Sequence, residues 1–278
     1  MMKKAIILCM LPIFLAGCAP HYGEASDIPE GYSLFFEDEF EGNALNSDYW
    51  TPETGNNNGW GNGEVEYYQG ENAVVRDGEL HIIAKKESVD EFEYTSARIK
   101  TADKVKFKNG YVEAKIKLPN VKGMWPAFWM MPNDAIYGNW PDSGEIDIME
   151  ANGKYKDRTS AALHYSIAHR DTYKVASNIA GREVQFDNTE YHLYKLDWNE
   201  EMITFMVDDR SILEVPQRTW QTPAVSKTDN PVAPYDQDFF LIFNLAISGN
   251  YVNGDMPPRD FTECEMVGDY VRVYTAQE

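Results

Sequence analysis

Hydrophobic and polar residues alternate with a period of two along many short stretches of this chain. Successive side chains of a β-strand point to opposite faces, so this alternation predicts strands with one buried and one polar face. The clearest stretches are residues 79–86, 94–101, 111–118, 161–166, 191–198, 202–207, 238–247 and 270–274. No stretch has a convincing helical period.

Turn residues separate these stretches and indicate the fold class. Pairs such as Asp77-Gly78, Asn109-Gly110 and Asn253-Gly254 are typical of tight turns. Many short strands between turns, without intervening helices, favour two packed sheets. The sequence therefore predicts an all-β protein, a two-sheet β-sandwich or jelly roll, with a single domain over residues 32–278.

Composition and charge narrow the range of partners. With 43% hydrophobic and 13% aromatic residues, the 278-residue chain can bury a full core, which excludes a disordered protein. Its 45 acidic and 25 basic residues give a net charge of −20, which repels the phosphate backbone of nucleic acids. We therefore expect no nucleic-acid partner and favour neutral polymers or small neutral ligands.

The first residues predict a secretion signal. Lys3 and Lys4 precede an apolar stretch over residues 5–15, which is too short to span a bilayer as a helix. The following Leu15-Ala16-Gly17-Cys18 is similar to a bacterial lipobox. It predicts a signal peptide over residues 1–17 that is cleaved before a lipidated Cys18. The alternative is an ordinary signal peptide with an incidental cysteine.

A polar segment with proline and glycine follows, and residues 18–31 are expected to form a flexible tether. Acyl chains on Cys18 would anchor the tether to a membrane. Ala19 is compatible with sorting to the outer membrane, so we expect a bacterial outer-membrane lipoprotein at the cell surface or on the periplasmic face. Of three cysteines, Cys9 leaves with the signal and Cys264 stays free, so no intramolecular disulfide is expected.

The densest chemical signal is the acid run Gly144-Glu-Ile-Asp-Ile-Met-Glu150. On a strand, Glu145 and Asp147 share a face, whereas Glu150 lies an odd number of steps from Glu145 and would point away. A β-bulge near Ile148-Met149 would return Glu150 to that face, about 13 Å along the backbone from Glu145. Side chains leaning toward each other would bring the carboxyls to about 5 Å, as in retaining glycosidases.

Three acids in one row also predict coupled titration. Neighbouring carboxylates cannot all ionise freely, so at least one pKa should rise and keep a proton available near neutral pH. Asp147, between the two glutamates, would orient the nucleophile. The alternative is an exposed acidic strand face without chemistry.

Aromatic residues near this run indicate a binding cleft. Trp125 and Trp129 lie four residues apart, on one face of a regular strand, and residues 60–68 add a further tryptophan and two acids. Indole rings that stack on sugars, beside acids and amides that bind hydroxyls, are typical of carbohydrate sites. The alternative for each tryptophan is a place in the core.

Together these motifs resemble glycoside hydrolase family 16, in its laminarinase-like branch of bacterial endo-β-glucanases. The resemblance extends from about residue 34 to residue 274. Its motifs, in the family's order, are Phe36-Glu-Asp-Glu-Phe-Glu-Gly42, Trp60-Gly-Asn-Gly-Glu64, Tyr94-Thr-Ser-Ala-Arg98, Gly123-Met-Trp-Pro-Ala-Phe-Trp129, the acid run, Leu163-His164-Tyr165, residues 235–246 and Asp269-Tyr-Val-Arg-Val-Tyr274. It implies a jelly roll with a cleft across its concave sheet that cuts β-glucan internally with retention of configuration.

The resemblance also implies roles for single residues. Glu145 would be the nucleophile, Asp147 its assisting acid and Glu150 the general acid/base. The positions that match sugar subsites, or that would also face the cleft, are Arg98, Trp125, Trp129, His164, Asn62 and Asn244.

A metal site is a further implication, because many family members bind a structural Ca²⁺. Asp269 would be the acidic ligand, with Gly78 and Glu39 as carbonyl donors, a set of hard oxygens that suits calcium. No Cys/His spacing predicts zinc and no Gly-rich loop predicts a nucleotide, so no catalytic cofactor is expected.

The substrate stays open between mixed-linkage β-1,3/1,4-glucan and β-1,3-glucan (laminarin), and we favour a relaxed activity that accepts the mixed-linkage polymer well. Two other functions stay open. One is a non-catalytic glycan-binding lipoprotein, which would not need both Glu145 and Glu150. The other is a transglycosylase, which passes the covalent intermediate to a sugar. We expect a monomer.

Overall fold

A computed structural model of the chain describes residues 28, 30–167, 170–177, 186–220 and 229–277. The predicted signal peptide, Cys18 and nearly all of the tether lie outside these residues. Within them, the strands are β1 Tyr32–Asp38, β2 Thr51–Pro52, β3 Tyr67–Tyr68, β4 Ala73–Arg76, β5 Glu79–Lys85, β6 Thr95–Ser96, β7 Arg98–Lys100, β8 Lys106–Phe107, β9 Gly110–Lys117, β10 Met124–Pro132, β11 Glu145–Glu150, β12 Ser160–Ile167, β13 Arg170–Ser177, β14 His192–Trp198, β15 Met202–Val207, β16 Arg210–Pro216, β17 Phe239–Ile247 and β18 Glu263–Ala276.

The helices of the described ranges are short 3-10 turns at Gly59–Gly61, Gly70–Asn72 and Gln217–Thr219. In this part of the chain, no helix has the length and apolar character needed to cross a membrane.

The described strands form two sheets, as the sequence predicts. The ten-stranded sheet has the order β16-β15-β14-β9-β18-β5-β6-β3, with β1 paired to β18 and β4 paired to β5. The eight-stranded sheet has the order β13-β12-β11-β10-β17-β7-β2, with β8 paired to β17. Neighbouring strands are antiparallel except β3 and β6. The molecule is a jelly-roll sandwich.

The core lies between the sheets, where one face of each strand is apolar. Val112, Ala114 and Ile116 of β9 pack in the same buried cluster as Phe128 and Met130 of β10. Burying one such large side chain contributes about 1.5–3 kcal/mol to stability. Because alternate residues of β10 point into the core, the residues between them are left for the opposite face of the eight-stranded sheet.

Residues 94–101, predicted as one strand, form two strands in different sheets. β6 belongs to the ten-stranded sheet and β7 to the eight-stranded sheet, with Ala97 between them. Ser96 Oγ donates a hydrogen bond to the carbonyl of Leu245 at 2.6 Å, and the Leu245 N–H donates to the carbonyl of Ala97. These contacts with β17 fix the place where the chain crosses from one sheet to the other. Local alternation of hydrophobic and polar residues cannot reveal such a crossing.

Other predicted elements agree with the structure. The hairpin over residues 191–207 is formed by β14 and β15. Asp77 and Gly78 connect β4 and β5 with φ values of 57° and 77°, as a tight hairpin turn requires. The last strand is longer than predicted, because β18 continues through a register shift between Gly268 and Tyr270.

Candidate active site

The predicted bulge is present in β11. Glu145 pairs with His164, Asp147 with Ala162, and Glu150 with Ser160. The step from Asp147 to Glu150 is three residues on β11 but only two on β12, so the three acids oppose alternate residues of β12. The register against β10 also shifts, because Phe128 pairs with Met149 and Trp129 with Asp147. Ile148 and Met149 are both fully buried on the core side. The bulge therefore places Glu145, Asp147 and Glu150 on one face, about 13 Å apart along the backbone from first to last.

Asp147 lies at the centre of this row and is nearly inaccessible. The Nε2 atom of His164 is 3.2 Å from Asp147 Oδ2 and 3.8 Å from Glu145 Oε1. The side chains of His164 and Glu145 keep about a fifth of their surface exposed, whereas Asp147 keeps 5%. The imidazole thus lies against both acids from β12, and the two glutamates remain open to the cleft.

The two glutamates of the row have a raised pKa. Burial and the neighbouring charge of Asp147 raise the pKa of Glu145 well above its usual value, and His164 and Arg98 act in the opposite direction. Burial and Asp147 also raise the pKa of Glu150, to about 8, although a hydrogen bond from Trp125 and the charge of His164 lower it. A proton is therefore available on Glu150 near neutral pH, as the sequence predicts.

Trp125 contacts Glu150 directly. Its indole Nε1 donates a hydrogen bond to Glu150 Oε1 at 2.9 Å. One face of the indole is covered by the ring of Tyr251, at 5.1 Å between centroids with the planes inclined by 15°. The side chain predicted as a sugar platform is thus held by two protein groups.

Trp129 and Arg98 form a second aromatic group. The Arg98 guanidinium lies over the ring of Trp129 at 4.8 Å and over that of Trp60 at 4.5 Å. Its Nε atom is 2.6 Å from Glu53 Oε2, which fixes the direction of the charge. Cation–π contacts of this kind contribute about 0.5–2 kcal/mol each. Trp129 and Arg98 therefore form one wall of the cleft, and their contacts with sugar stay a prediction.

A chain of hydrogen bonds supports this wall. Trp129 Nε1 donates to Asn244 Oδ1 at 2.8 Å, Asn244 Nδ2 donates to the Tyr68 hydroxyl at 3.2 Å, and that hydroxyl donates to Glu64 Oε2 at 2.8 Å. Asn62 Nδ2 also reaches Glu64, at 3.4 Å. The two predicted asparagines therefore belong to the cleft, and Asn244 connects its aromatic wall to an acid.

Several cleft residues were not assigned individually from the sequence. Glu64, Trp60, Trp140, Asn250 and Tyr251 line the same cavity as the predicted residues, and its volume is about 880 Å³. The density of tryptophan, acid and tyrosine in residues 60–68 was the available signal for the first two. Trp140, Asn250 and Tyr251 lie outside strands, where no periodicity marks them.

Glu66 is a buried neighbour of this group. Its side chain is inaccessible, and its Oε2 accepts the backbone N–H of Ile247 at 2.7 Å. Burial and the adjacent Glu64 raise its pKa well above the usual value. A neutral carboxyl at this position costs less than a buried charge, so Glu66 acts as a structural tie to β17.

The predicted calcium ligands Asp269, Gly78 and Glu39 lie next to paired positions of the ten-stranded sheet, because Asp38 pairs with Val271 and Leu80 with Gly268. Asp269 lies at the register shift in β18, and its Oδ2 accepts a hydrogen bond from Lys115 Nζ at 2.5 Å. The side chain of Glu39 binds Arg272 at 2.7 and 3.0 Å, and Gly78 lies in the turn between β4 and β5. The Lys115 ammonium neutralises the Asp269 carboxylate in this structure, and calcium binding by Asp269 with the carbonyls of Gly78 and Glu39 stays a prediction. The sequence motif around Asp269 could not reveal its contact with Lys115 of β9.

Comparisons with known proteins agree with the geometry. The family model described as glycosyl hydrolases family 16 matches residues 60–233. The chain is 37% identical over 263 residues to glucan endo-1,3-beta-glucosidase A1 of Niallia circulans, which covers 89% of this chain and 38% of that protein. It is 34% identical to the beta-glucanase of Rhodothermus marinus, covering 99% of this chain and 95% of that protein.

A solved structure of a related protein is also similar to this chain. The laminarinase from Rhodothermus marinus superposes with a TM-score of 0.77 at 36% identity, covering 89% of this chain and 98% of that chain. The chain thus spans little more than a third of its Niallia circulans relative but nearly all of the Rhodothermus marinus proteins. Sheet order, acid row and sequence similarity agree, and the chain belongs to glycoside hydrolase family 16.

Proposed function

We propose that this protein is an endo-acting, retaining β-glucanase that hydrolyses β-1,3-glucan, mixed-linkage β-1,3/1,4-glucan or both. The observation that carries the proposal is the bulge in β11, which aligns Glu145, Asp147 and Glu150 in the floor of one cleft. Leaning side chains on such a row bring the terminal carboxyls to about 5 Å, which leaves room for a sugar carbon but not for an additional water.

The reaction proceeds in two displacements. The Glu145 carboxylate attacks the anomeric carbon while Glu150 gives its proton to the departing glycosidic oxygen, so a glycosyl ester forms and the C–O bond breaks. Glu150, now ionised, takes a proton from water, which attacks the same carbon and releases Glu145. His164, on the neighbouring strand, lies against both the Glu145 carboxyl and Asp147. Two inversions retain the configuration.

The cleft favours a neutral polymer. Trp60, Trp129 and Trp140 contribute apolar surface, whereas Asn62 and Asn250 contribute amides, a mixture that suits the faces and hydroxyls of sugar rings. The net charge of −20 disfavours sulfated chains. The relatives named above carry β-glucanase and laminarinase names, which supports the same substrate class for this chain.

The test is a product profile of the protein that starts after Cys18, on laminarin, barley mixed-linkage glucan and cellulose. We expect short oligosaccharides from one or both of the first two, initial release of the β-anomer, and no products from Glu145→Gln. Binding without cleavage by the wild type would support the glycan-binding function instead. Longer products with an added acceptor oligosaccharide would indicate transglycosylation.

We also propose that the protein is a monomeric outer-membrane lipoprotein anchored through Cys18. The support for the anchor is the Leu15-Ala16-Gly17-Cys18 sequence after a short apolar stretch. Expression with a labelled fatty acid, beside Cys18→Ser, tests the anchor. Label in both variants or in neither contradicts it. Light scattering of the soluble form tests the monomer.

A further inference from the structure

Tyr251 lines the cleft but has no role in the reaction described above. Its ring stacks on Trp125, and its hydroxyl lies 2.6 Å from Ser160 Oγ. Ser160 is the cross-strand partner of Glu150. Tyr251 therefore contacts both neighbours of the general acid, namely the indole that binds its carboxyl and the residue opposite it in the sheet.

The backbone before Tyr251 also contacts Trp125. A Cβ atom on Gly249 would lie 3.3 Å from Trp125 Cζ3 and 3.4 Å from Cε3, so the glycine packs against the indole ring. Its φ of 94° also favours glycine. Ser248 donates its backbone N–H to the carbonyl of Gly123 at 2.7 Å, which fixes this segment. We call Trp125, Ser160, Gly249 and Tyr251 the Trp125 clamp.

The Trp125 clamp distinguishes the two oxygens of Glu150. An indole N–H can only donate, so Glu150 Oε1, which receives it, is the acceptor oxygen and the acid proton resides on Oε2. The ionisable groups that face Glu150 are Asp147 and Glu145 from β11, His164 from β12 and Tyr251 from the loop after β17. Burial and the charge of Glu150 raise the pKa of Tyr251, so its hydroxyl stays protonated.

We propose that Tyr251 is a positioning residue, which acts through Trp125 and Ser160 to hold the Glu150 carboxyl with its protonated oxygen toward the glycosidic oxygen. This inference rests on the proposed function. It also assigns Trp125 to the general acid, in addition to any contact that its free edge makes with sugar.

The kinetic test compares Tyr251→Leu, which removes the stacked ring, with Tyr251→Phe, which keeps it. Since general acid catalysis contributes about 10²–10⁴-fold, partial misplacement in Tyr251→Leu should lower kcat on β-glucan roughly tenfold or more, with KM changed less than twofold. On an aryl β-glycoside with a good leaving group, which needs little acid help, the same variant should keep at least half of the wild-type kcat. Tyr251→Phe and Ser160→Ala should show smaller losses of the same kind.

In Trp125→Phe, the alkaline limb of the pH–kcat profile should move to higher pH by roughly half a unit or more. The lost hydrogen bond stabilised ionised Glu150, so the pKa of Glu150 rises without it. A change confined to KM in Tyr251→Leu, or equal losses of kcat on both substrates, would overturn the positioning role. Thermal unfolding of each variant identifies any loss that comes from misfolding.

A second readout does not depend on turnover, so it separates this inference from the proposed function. In ¹⁵N-labelled protein, the indole signal that disappears in Trp125→Phe should shift with pH, with a midpoint near the pKa of Glu150, about 8. Glu150→Gln should abolish this shift, and Tyr251→Leu should move its midpoint. A Trp125 signal that does not titrate, or that titrates identically in Tyr251→Leu, contradicts the clamp even if the enzyme is active. A normal response in a protein that cuts no glucan would reject the proposed function alone.

Discussion

His164 Nε2 lies 3.2 Å from Asp147 Oδ2, on the strand next to the one that carries all three acids. The same nitrogen is 3.8 Å from Glu145, so one imidazole faces the central acid and the proposed nucleophile together. When protonated, it offsets part of the repulsion within the row and lowers the pKa of both glutamates.

Replacing this imidazole should change the pH range of activity. In His164→Gln the compensating charge is lost, so the pKa of Glu145 rises and a higher pH is needed to ionise the nucleophile. We expect the acidic limb of kcat/KM to move upward, with a loss of about tenfold or more near pH 5. The measurement is a pH–rate profile on laminarin or mixed-linkage glucan. An acidic limb that stays at the wild-type pH would mean that His164 has no such electrostatic effect.

The alkaline limit of the wild type should come from Glu150. Its pKa is raised to about 8, so the acid form that protonates the leaving group is lost as the pH rises through that value. We expect polysaccharide hydrolysis to fall above about pH 8, whereas hydrolysis of a substrate with a good leaving group should fall less. A shared alkaline limb for the two substrates would contradict this assignment.

The same group should make stability depend on pH. Folded Glu150 holds its proton up to about pH 8, whereas an ordinary carboxyl releases it near 4.5. Between these values the folded state binds more protons than the unfolded state, so its stability decreases as the pH rises. Glu150→Gln removes this loss, and its Tm should exceed that of the wild type by roughly a few degrees at pH 9. Equal Tm differences at pH 4.5 and pH 9 would contradict the prediction.

The bulge can be tested by changing the length of β11. Deletion of Met149 leaves five residues from Glu145 to the last glutamate, so regular alternation alone returns both to one face. We expect this variant to fold and to retain measurable activity, at a cost of about 2–5 kcal/mol for the lost buried side chain. An alanine inserted after Ile148 instead makes the separation six steps, so the last glutamate also faces the cleft but lies about 20 Å along the backbone from Glu145, and activity should be abolished. Two inactive variants that both fold would show that spacing is more restricted than alternation requires.

The wall of the cleft should be sensitive to Asn244. In Asn244→Leu, the Trp129 N–H and the Tyr68 hydroxyl lose a partner in a buried position. Each such loss costs about 1–3 kcal/mol. We expect lower thermal stability and a KM on β-glucan raised roughly fivefold, with a smaller change in kcat. Tyr68→Phe is the comparison variant, because it keeps the ring and the bond from Trp129 to Asn244 but removes the hydroxyl that binds Asn244 and Glu64. Its KM should rise less than that of Asn244→Leu.

The strands and the bulge, which depend on local periodicity, could be predicted from the sequence. Alternation located β14 and β15, and counting steps from Glu145 to Glu150 required the bulge that the structure contains. Contacts between distant segments were beyond this reasoning. The bond from Trp125 to Glu150, the guanidinium of Arg98 between Trp60 and Trp129, and the pairing of Lys115 with Asp269 each depend on how separate strands meet.

The hydrogen bond between Tyr68 and Asn244 joins the two sheets, because β3 belongs to the ten-stranded sheet and β17 to the eight-stranded one. One side of the cleft is thus attached to the layer that does not carry the acids. A small slip of one layer over the other would change the width of the cleft without moving Glu145 relative to Glu150. Substitutions deep in the interior can therefore alter affinity for glucan while the chemical step is preserved.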